Sequence, residues 1–152
     1  MPKTIYLDVC CLNRPFDDQS QSRVRIEAEA VLSILEMAAE QKVEVLDSDI
    51  IDDELSQHPD HERRGKVEVL LTIATSHVLL TTAIERRAEE LQKLGIAPLD
   101  ALHLASAESA QADCFLTTDD KLLRLAGRNQ SDLKVKVENP AKWLIQNTTD
   151  EN

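Results

Sequence analysis

Hydrophobic positions recur along this chain with two different periods, and each change of period marks a new element. Thr4-Ile5-Tyr6-Leu7, Val43-Glu44-Val45-Leu46 and residues 113–118 are short apolar runs that predict strands. From Ser22 to Gln41 the apolar residues Ile26, Ala30, Val31, Ile34 and Met37/Ala38 repeat at helical spacing, which predicts one long amphipathic helix. Ser48 or Asp49 is placed to cap a following helix that carries Glu54. Further helices are expected over 61–75 and 82–94, the second closed by Gly95. Pro98 opens a helix of small apolar residues, since proline is favoured in a first turn. After the strand at 113–118, a helix over 119–126 is expected to end at Gly127. Leu133-Lys134-Val135-Lys136-Val137 alternates as an edge strand does, and Pro140 opens a last short helix with Trp143.

Strands alternating with helices imply an α/β fold, with a mostly parallel sheet covered on both faces. Length implies one domain, taken as residues 1–147, with 148–152 as a disordered tail. Ligands of such sheets bind beyond the carboxyl ends of the strands, where strand order reverses. Asp8 and Asp119 each close an apolar run at such an end.

Composition narrows the class. Hydrophobic residues make up 42% and charged residues 30%, as in ordinary globular proteins. No apolar run approaches the roughly 18 residues of a membrane span. The N-terminus lacks the layout of a signal peptide, so no membrane role is expected. Three cysteines, two of them adjacent at 10 and 11, suggest no disulfide framework and fit a reducing cytoplasm. Cys10 and Cys11 are expected as buried small hydrophobes. With 17 basic and 28 acidic residues the net charge is −11, which argues against a broad positive surface for nucleic acid.

Most of the 28 acids suit a solvated surface, but four stand in apolar surroundings: Asp8, Glu54, Asp100 and Asp119. A buried carboxylate must be paired, hydrogen-bonded or bound to a cation, because losing water costs several kcal/mol per ion. Asp8 and Asp119 can each serve simply as a helix cap, and Asp100 as a first-turn carboxylate satisfied by backbone N–H groups. Glu54 is more telling. At about 100° per residue it falls between Ile50 and Ile51 on the buried face, while Asp52 and Asp53 fall away from it. His103 shares a face with Asp100 and is expected to support or pack rather than to ligate.

The segment Ile5-Tyr6-Leu7-Asp8-Val9-Cys10-Cys11-Leu12-Asn13-Arg14-Pro15-Phe16 resembles the opening of PIN-domain proteins, whose first strand ends in an aspartate followed by a short polar turn. Ser48 followed by Glu54 resembles their second motif, Asp100-Ala101-Leu102-His103-Leu104-Ala105 their third, and Ala112-Asp113-Cys114-Phe115-Leu116-Thr117-Thr118-Asp119 their fourth. Each motif is weak alone; the ordered set spans nearly the whole chain. The resemblance implies a three-layer α/β/α sandwich and a metal-dependent endoribonuclease, most often the VapC-like toxin of a toxin–antitoxin pair. On that reading Asp8, Glu54, Asp100 and Asp119 hold Mg²⁺ or Mn²⁺ and carry catalysis, and Thr117, Ser48 and His103 support them. The substrate is RNA, an antitoxin protein is a possible partner, and the family suggests a homodimer. Position 10 is Cys where many members carry Asn, and the Asn13–Phe16 turn suggests a subgroup of unpaired members.

The residue types suit that chemistry. Phosphodiester hydrolysis needs an activated water and relief of charge on phosphate oxygens, and hard cations held by carboxylates supply both. Arg14, Lys121 and Arg124 are candidates for phosphate contacts, although a solvated helix face explains each singly. A haloacid-dehalogenase-like phosphatase would need an aspartate at position 10, and a phosphoryl-acceptor domain a lysine after a late strand where Lys121 does not fit. Zinc at His58 and His61 lacks further ligands. A non-catalytic PIN module acting through protein or nucleic-acid binding is the alternative, and the presence of all four acids argues against it.

Overall fold

The computed structural model describes residues 2–148 and places five strands and eight α-helices among them. The strands are β1 (Lys3–Leu7), β2 (Val43–Ser48), β3 (Ser76–Val78), β4 (Cys114–Leu116) and β5 (Lys136–Glu138). All ladders are parallel and the spatial order is β3-β2-β1-β4-β5. The chain winds outward from β1 to β3, returns to lay β4 on the other side of β1, and ends at β5. Helices must therefore pack on both faces. Burial shows the same thing: Ile5, Tyr6 and Leu7 in β1, and Cys114, Phe115 and Leu116 in β4, are buried at every successive position. The architecture is a three-layer α/β/α sandwich, with its sheet wholly parallel.

The helices are α1 (Val9–Asn13), α2 (Ser22–Ala39), α3 (Asp49–Ser56), α4 (His61–Leu71), α5 (Thr82–Gln92), α6 (Pro98–Ser109), α7 (Asp120–Arg128) and α8 (Pro140–Thr148). Ser48 caps α3 by accepting from the Ile51 N–H at 3.0 Å, and Pro98 stands in the first turn of α6. Gly95 follows α5 with φ of +94°, a left-handed conformation that disfavours side chains. No helix among the described residues is long and apolar enough to cross a membrane.

Several expectations need correcting. Where a short polar turn is expected after β1, the mostly apolar residues Val9–Asn13 form α1, which Asp8 caps through the Val9 N–H. Residues 76–78 are the edge strand β3, paired to β2 from Leu46 to Ser48; three residues are too few for alternation to reveal. Gly127 lies inside α7, which continues to Arg128: mid-helix glycine costs about 1 kcal/mol and does not by itself end a helix. The helix α8 includes Thr148, and the rest of the expected tail, residues 149–152, lies outside the described residues.

The largest correction concerns the buried face of α2. Ile26 is 56% exposed, whereas Glu27 is buried within a stripe running through Val24, Val31, Ile34 and Ala38. Two arginines and an asparagine make that burial tolerable. Glu27 Oε1 accepts from Arg14 Nε at 2.8 Å, and its Oε2 accepts from Arg23 Nε at 3.2 Å and from Asn139 Nδ2 at 2.6 Å. Arg23 continues to Asp120 on α7, and Arg14 to Asp17, which Arg63 of α4 also binds. One buried carboxylate thereby ties α2, the turn after α1 and the residue preceding α8. Removing one partner of a fully buried pair costs roughly 3–5 kcal/mol. Because Arg14 and Arg23 reach water, Glu27→Ala is expected to lower unfolding free energy by on the order of 2 kcal/mol, measured by urea denaturation.

Candidate metal centre

The reversal of strand order between β1 and β4 leaves a crevice at their carboxyl ends, and the acids gather there. The Asp8 N–H donates to the Leu116 carbonyl at 2.9 Å, which locks the end of β1 against the end of β4. Asp8 is 6% exposed. Its Oδ1 accepts from the Val9 N–H, and its Oδ2 accepts from the Thr117 hydroxyl at 2.9 Å. That hydroxyl in turn accepts from the Asp119 N–H at 3.1 Å. Thr117, fully buried, thus joins the first and last of the four acids.

Glu54 is brought in from α3. Its half-buried side chain faces the interior while Asp52 and Asp53 are exposed, as helical phase predicts. Glu54 Oε1 lies 2.8 Å from His103 Nε2, and His103 Nδ1 lies 2.7 Å from the Tyr6 hydroxyl. The Tyr6 hydroxyl is also 2.7 Å from Ser48 Oγ, which accepts from the Ile51 N–H. With the ring proton on Nε2, every atom is matched: His103 donates to Glu54, Tyr6 donates to Nδ1, and Ser48 donates to Tyr6. His103 and Ser48 therefore act through hydrogen bonds behind Glu54. Tyr6 was not singled out from the sequence. Its signal is its place two residues before Asp8, hence on the same face of β1, together with the need of a buried phenol for a partner.

One oxygen each from Asp8 and Glu54 and a His103 nitrogen lie within 4.8 Å of one another. Asp100, in the first turn of α6, is half-buried and accepts no hydrogen bond from the described residues, so backbone N–H groups do not satisfy it. Asp119 is exposed rather than buried: it caps α7 through the Lys121 N–H at 2.9 Å and stands at the open rim. Burial pushes the Asp8 carboxyl well up, with the neighbouring Cys10 sulfur next in effect, and Asp100 and Glu54 add to it against the Thr117 hydrogen bond. Asp100 is also raised, by burial first and by Asp119 second. Loss of hydration leads both shifts, and like charges facing one another across the crevice add to it.

The expected cations divide. Arg14 turns away into its pairs with Glu27 and Asp17, because its guanidinium is the nearest compensation for that buried carboxylate. Lys121 and Arg124 are exposed on α7 and make no ion pair with a described residue. Cys11 is buried as expected, and Cys114 is buried in β4. Cys10 is half-buried and belongs to the crevice: its Sγ lies 3.4 Å from Asp8 Oδ2 and 3.4 Å from Thr117 Oγ1, and accepts from the Thr118 N–H at 3.4 Å.

Two other features lie apart from this crevice. Asp47, Asp52 and His77 bring donor atoms together at the end of β2, but two of the three are exposed, and His77 is engaged by Asp49 at 2.7 Å. A surface hollow of about 1120 Å³ runs between α2, α7, β5 and α8 and is lined by none of the four acids.

Converging carboxylate oxygens, one of them without hydrogen bonds, are the donor set of a hard divalent cation, and the residues fit one. Asp8 and Asp100 titrate higher in the folded chain than the roughly 3.9 of an unfolded aspartate. The stability they confer is therefore full below that value and lost as pH rises through the raised one. With chelator present, the chain is expected to weaken as pH rises from about 4 toward neutrality. Mg²⁺ or Mn²⁺ should restore stability at neutral pH, and Asp8→Asn should flatten the decline. Denaturant midpoints across pH, with and without metal, measure all three.

Three comparisons place the chain. Residues 5–128 match the family model described as PIN domain. Curated proteins yield no sequence match. A chain from the crystal structure of VapBC2 from Rickettsia felis, bound to a DNA fragment from their promoter, superposes with a TM-score of 0.59 at 16% identity. The superposition covers 90% of this chain and 98% of that one, and at such low identity it speaks for shared fold alone. The family match takes in the strand-end aspartates, Glu54 and Asp100 together, so this chain belongs to the PIN domain family.

Proposed function

We propose that this protein is a metal-dependent endoribonuclease that uses Mg²⁺ or Mn²⁺, and that it serves as the VapC-like toxin of a toxin–antitoxin pair. The observation that carries the reading is the meeting of Asp8, Glu54 and the unpaired Asp100 in one crevice. Membership of the PIN family and the fold shared with VapBC2 support it.

Asp8, Glu54, Asp100 and Asp119 would hold the ion, which supplies an activated water and neutralises charge on the scissile phosphate. Thr117 orients Asp8 by donating to Oδ2. His103, backed by Tyr6 and Ser48, holds Glu54 Oε1 and so aims the other oxygen of that carboxylate. Lys121 and Arg124 on α7 attract the RNA backbone toward Asp119 at the rim, and offset locally a chain charge of −11.

With Mg²⁺ or Mn²⁺ the purified chain is expected to cleave RNA, and excess chelator to stop it. Asp8→Asn and Asp100→Asn should each lower the rate by at least about 100-fold while circular dichroism stays native. Undiminished cleavage by both variants would refute the assignment, and intact RNA under all conditions would favour the non-catalytic alternative. Expressed in a bacterial host, the chain should arrest growth, the Asp100→Asn chain should not, and a small protein encoded beside it should relieve the arrest.

A further inference from the structure

Thr117 is not the only side chain that meets Asp8 Oδ2. The Cys10 thiol reaches the same oxygen from α1, at 3.4 Å. Asp8 Oδ1 is engaged in capping α1, and Oδ2 is the oxygen that both the Thr117 hydroxyl and the thiol meet. Asp100 lies within electrostatic reach of the same sulfur. The sulfur therefore stands at the wall of the crevice, against one and within electrostatic reach of another of the acids that the proposed function assigns to the metal.

A tetrahedral ion with a metal–sulfur bond of about 2.3 Å and a metal–oxygen bond of about 2.0 Å has a sulfur–oxygen edge of about 3.5 Å. The observed separation matches that edge without rearrangement. Oxygen from Asp8 and Glu54 together with sulfur from Cys10 is a donor set that borderline divalent ions accept. Mg²⁺ accepts only the oxygens.

We propose that Cys10 is the residue that sets metal selectivity in this centre: its sulfur binds an ion held by Asp8, so that Zn²⁺ and Co²⁺ displace Mg²⁺. The inference rests on the metal centre proposed above. Coordination forms the metal–sulfur bond and releases the thiol proton to solvent, with no change of oxidation state. Asn or Ser at this position presents only hard donors, so replacement weakens the preference and keeps the carboxylates.

Cobalt makes the test, because a cobalt–thiolate bond gives a near-ultraviolet charge-transfer band that oxygen ligands do not. The full chain is titrated with Co²⁺ and followed by absorption and by calorimetry. The wild-type protein should show the band. Cys10→Ser should lose it while still binding cobalt, and Cys114→Ser should keep it. Competition should show the preference for Zn²⁺ over Mg²⁺ falling roughly 10–100-fold in Cys10→Ser. Should that variant fail to fold, Cys10→Asn takes its place. Calorimetric binding of cobalt without the band, or a band that survives in the Cys10 variant, would overturn the proposal and leave the carboxylate centre standing. No cobalt binding at all would overturn both.

Discussion

Mutual repulsion among carboxylates at the carboxyl edge of a parallel sheet is the constraint that the rest of this structure answers. Each half-buried acid loses hydration worth several kcal/mol and gains a like-charged neighbour. The fold offsets the cost locally. Asp8 caps α1 and Asp119 caps α7, so backbone N–H groups of two helix N-termini meet these acids, while Asp100 sits in the first turn of α6. Helix dipoles favour negative charge there, each by some tenths of a kcal/mol to about 1 kcal/mol. What those dipoles leave uncompensated is the negative charge that a bound cation would offset.

The support behind the acids is part of the hydrophobic core. Tyr6 stacks on Phe115 with ring centroids 5.3 Å apart and meets His103 edge-on at 5.7 Å. Both rings of the hydrogen-bonded chain leading to Glu54 are thus held by packing as well as by polar contacts. A site mounted this way is rigid, because moving Glu54 means breaking a satisfied polar chain inside a close-packed interior. It also means that core substitutions around Phe115 reach the site through Tyr6.

Charge is arranged on the same logic. Arg14 and Arg23 are drawn into a network with Glu27, Asp17 and Asp120 that ties α2 to its neighbours. Structural pairing thereby removes them from the pool available to a polyanion. Lys121 and Arg124 remain exposed beside Asp119, on the helix that this acid caps. An acidic protein can in this way present a small positive strip next to its most negative crevice.

Local chemistry determined much of this from sequence alone. Period-two and period-3.6 patterns placed β1, β2, β4 and most helices, helical phase separated Glu54 from Asp52 and Asp53, and strand ends marked Asp8 and Asp119. These are properties of neighbouring residues, and a one-dimensional string carries them. Tertiary structure decided the rest. Glu27 is buried and Ile26 exposed because partners from residues 14, 23 and 139 meet on one face of α2, which no local period encodes. Asp119 lies at the open rim rather than inside, and Cys10 beside Asp8 rather than in the core. Long-range contacts join β1 to residues 116–118, more than a hundred positions away, and those contacts set which side chains meet at the crevice.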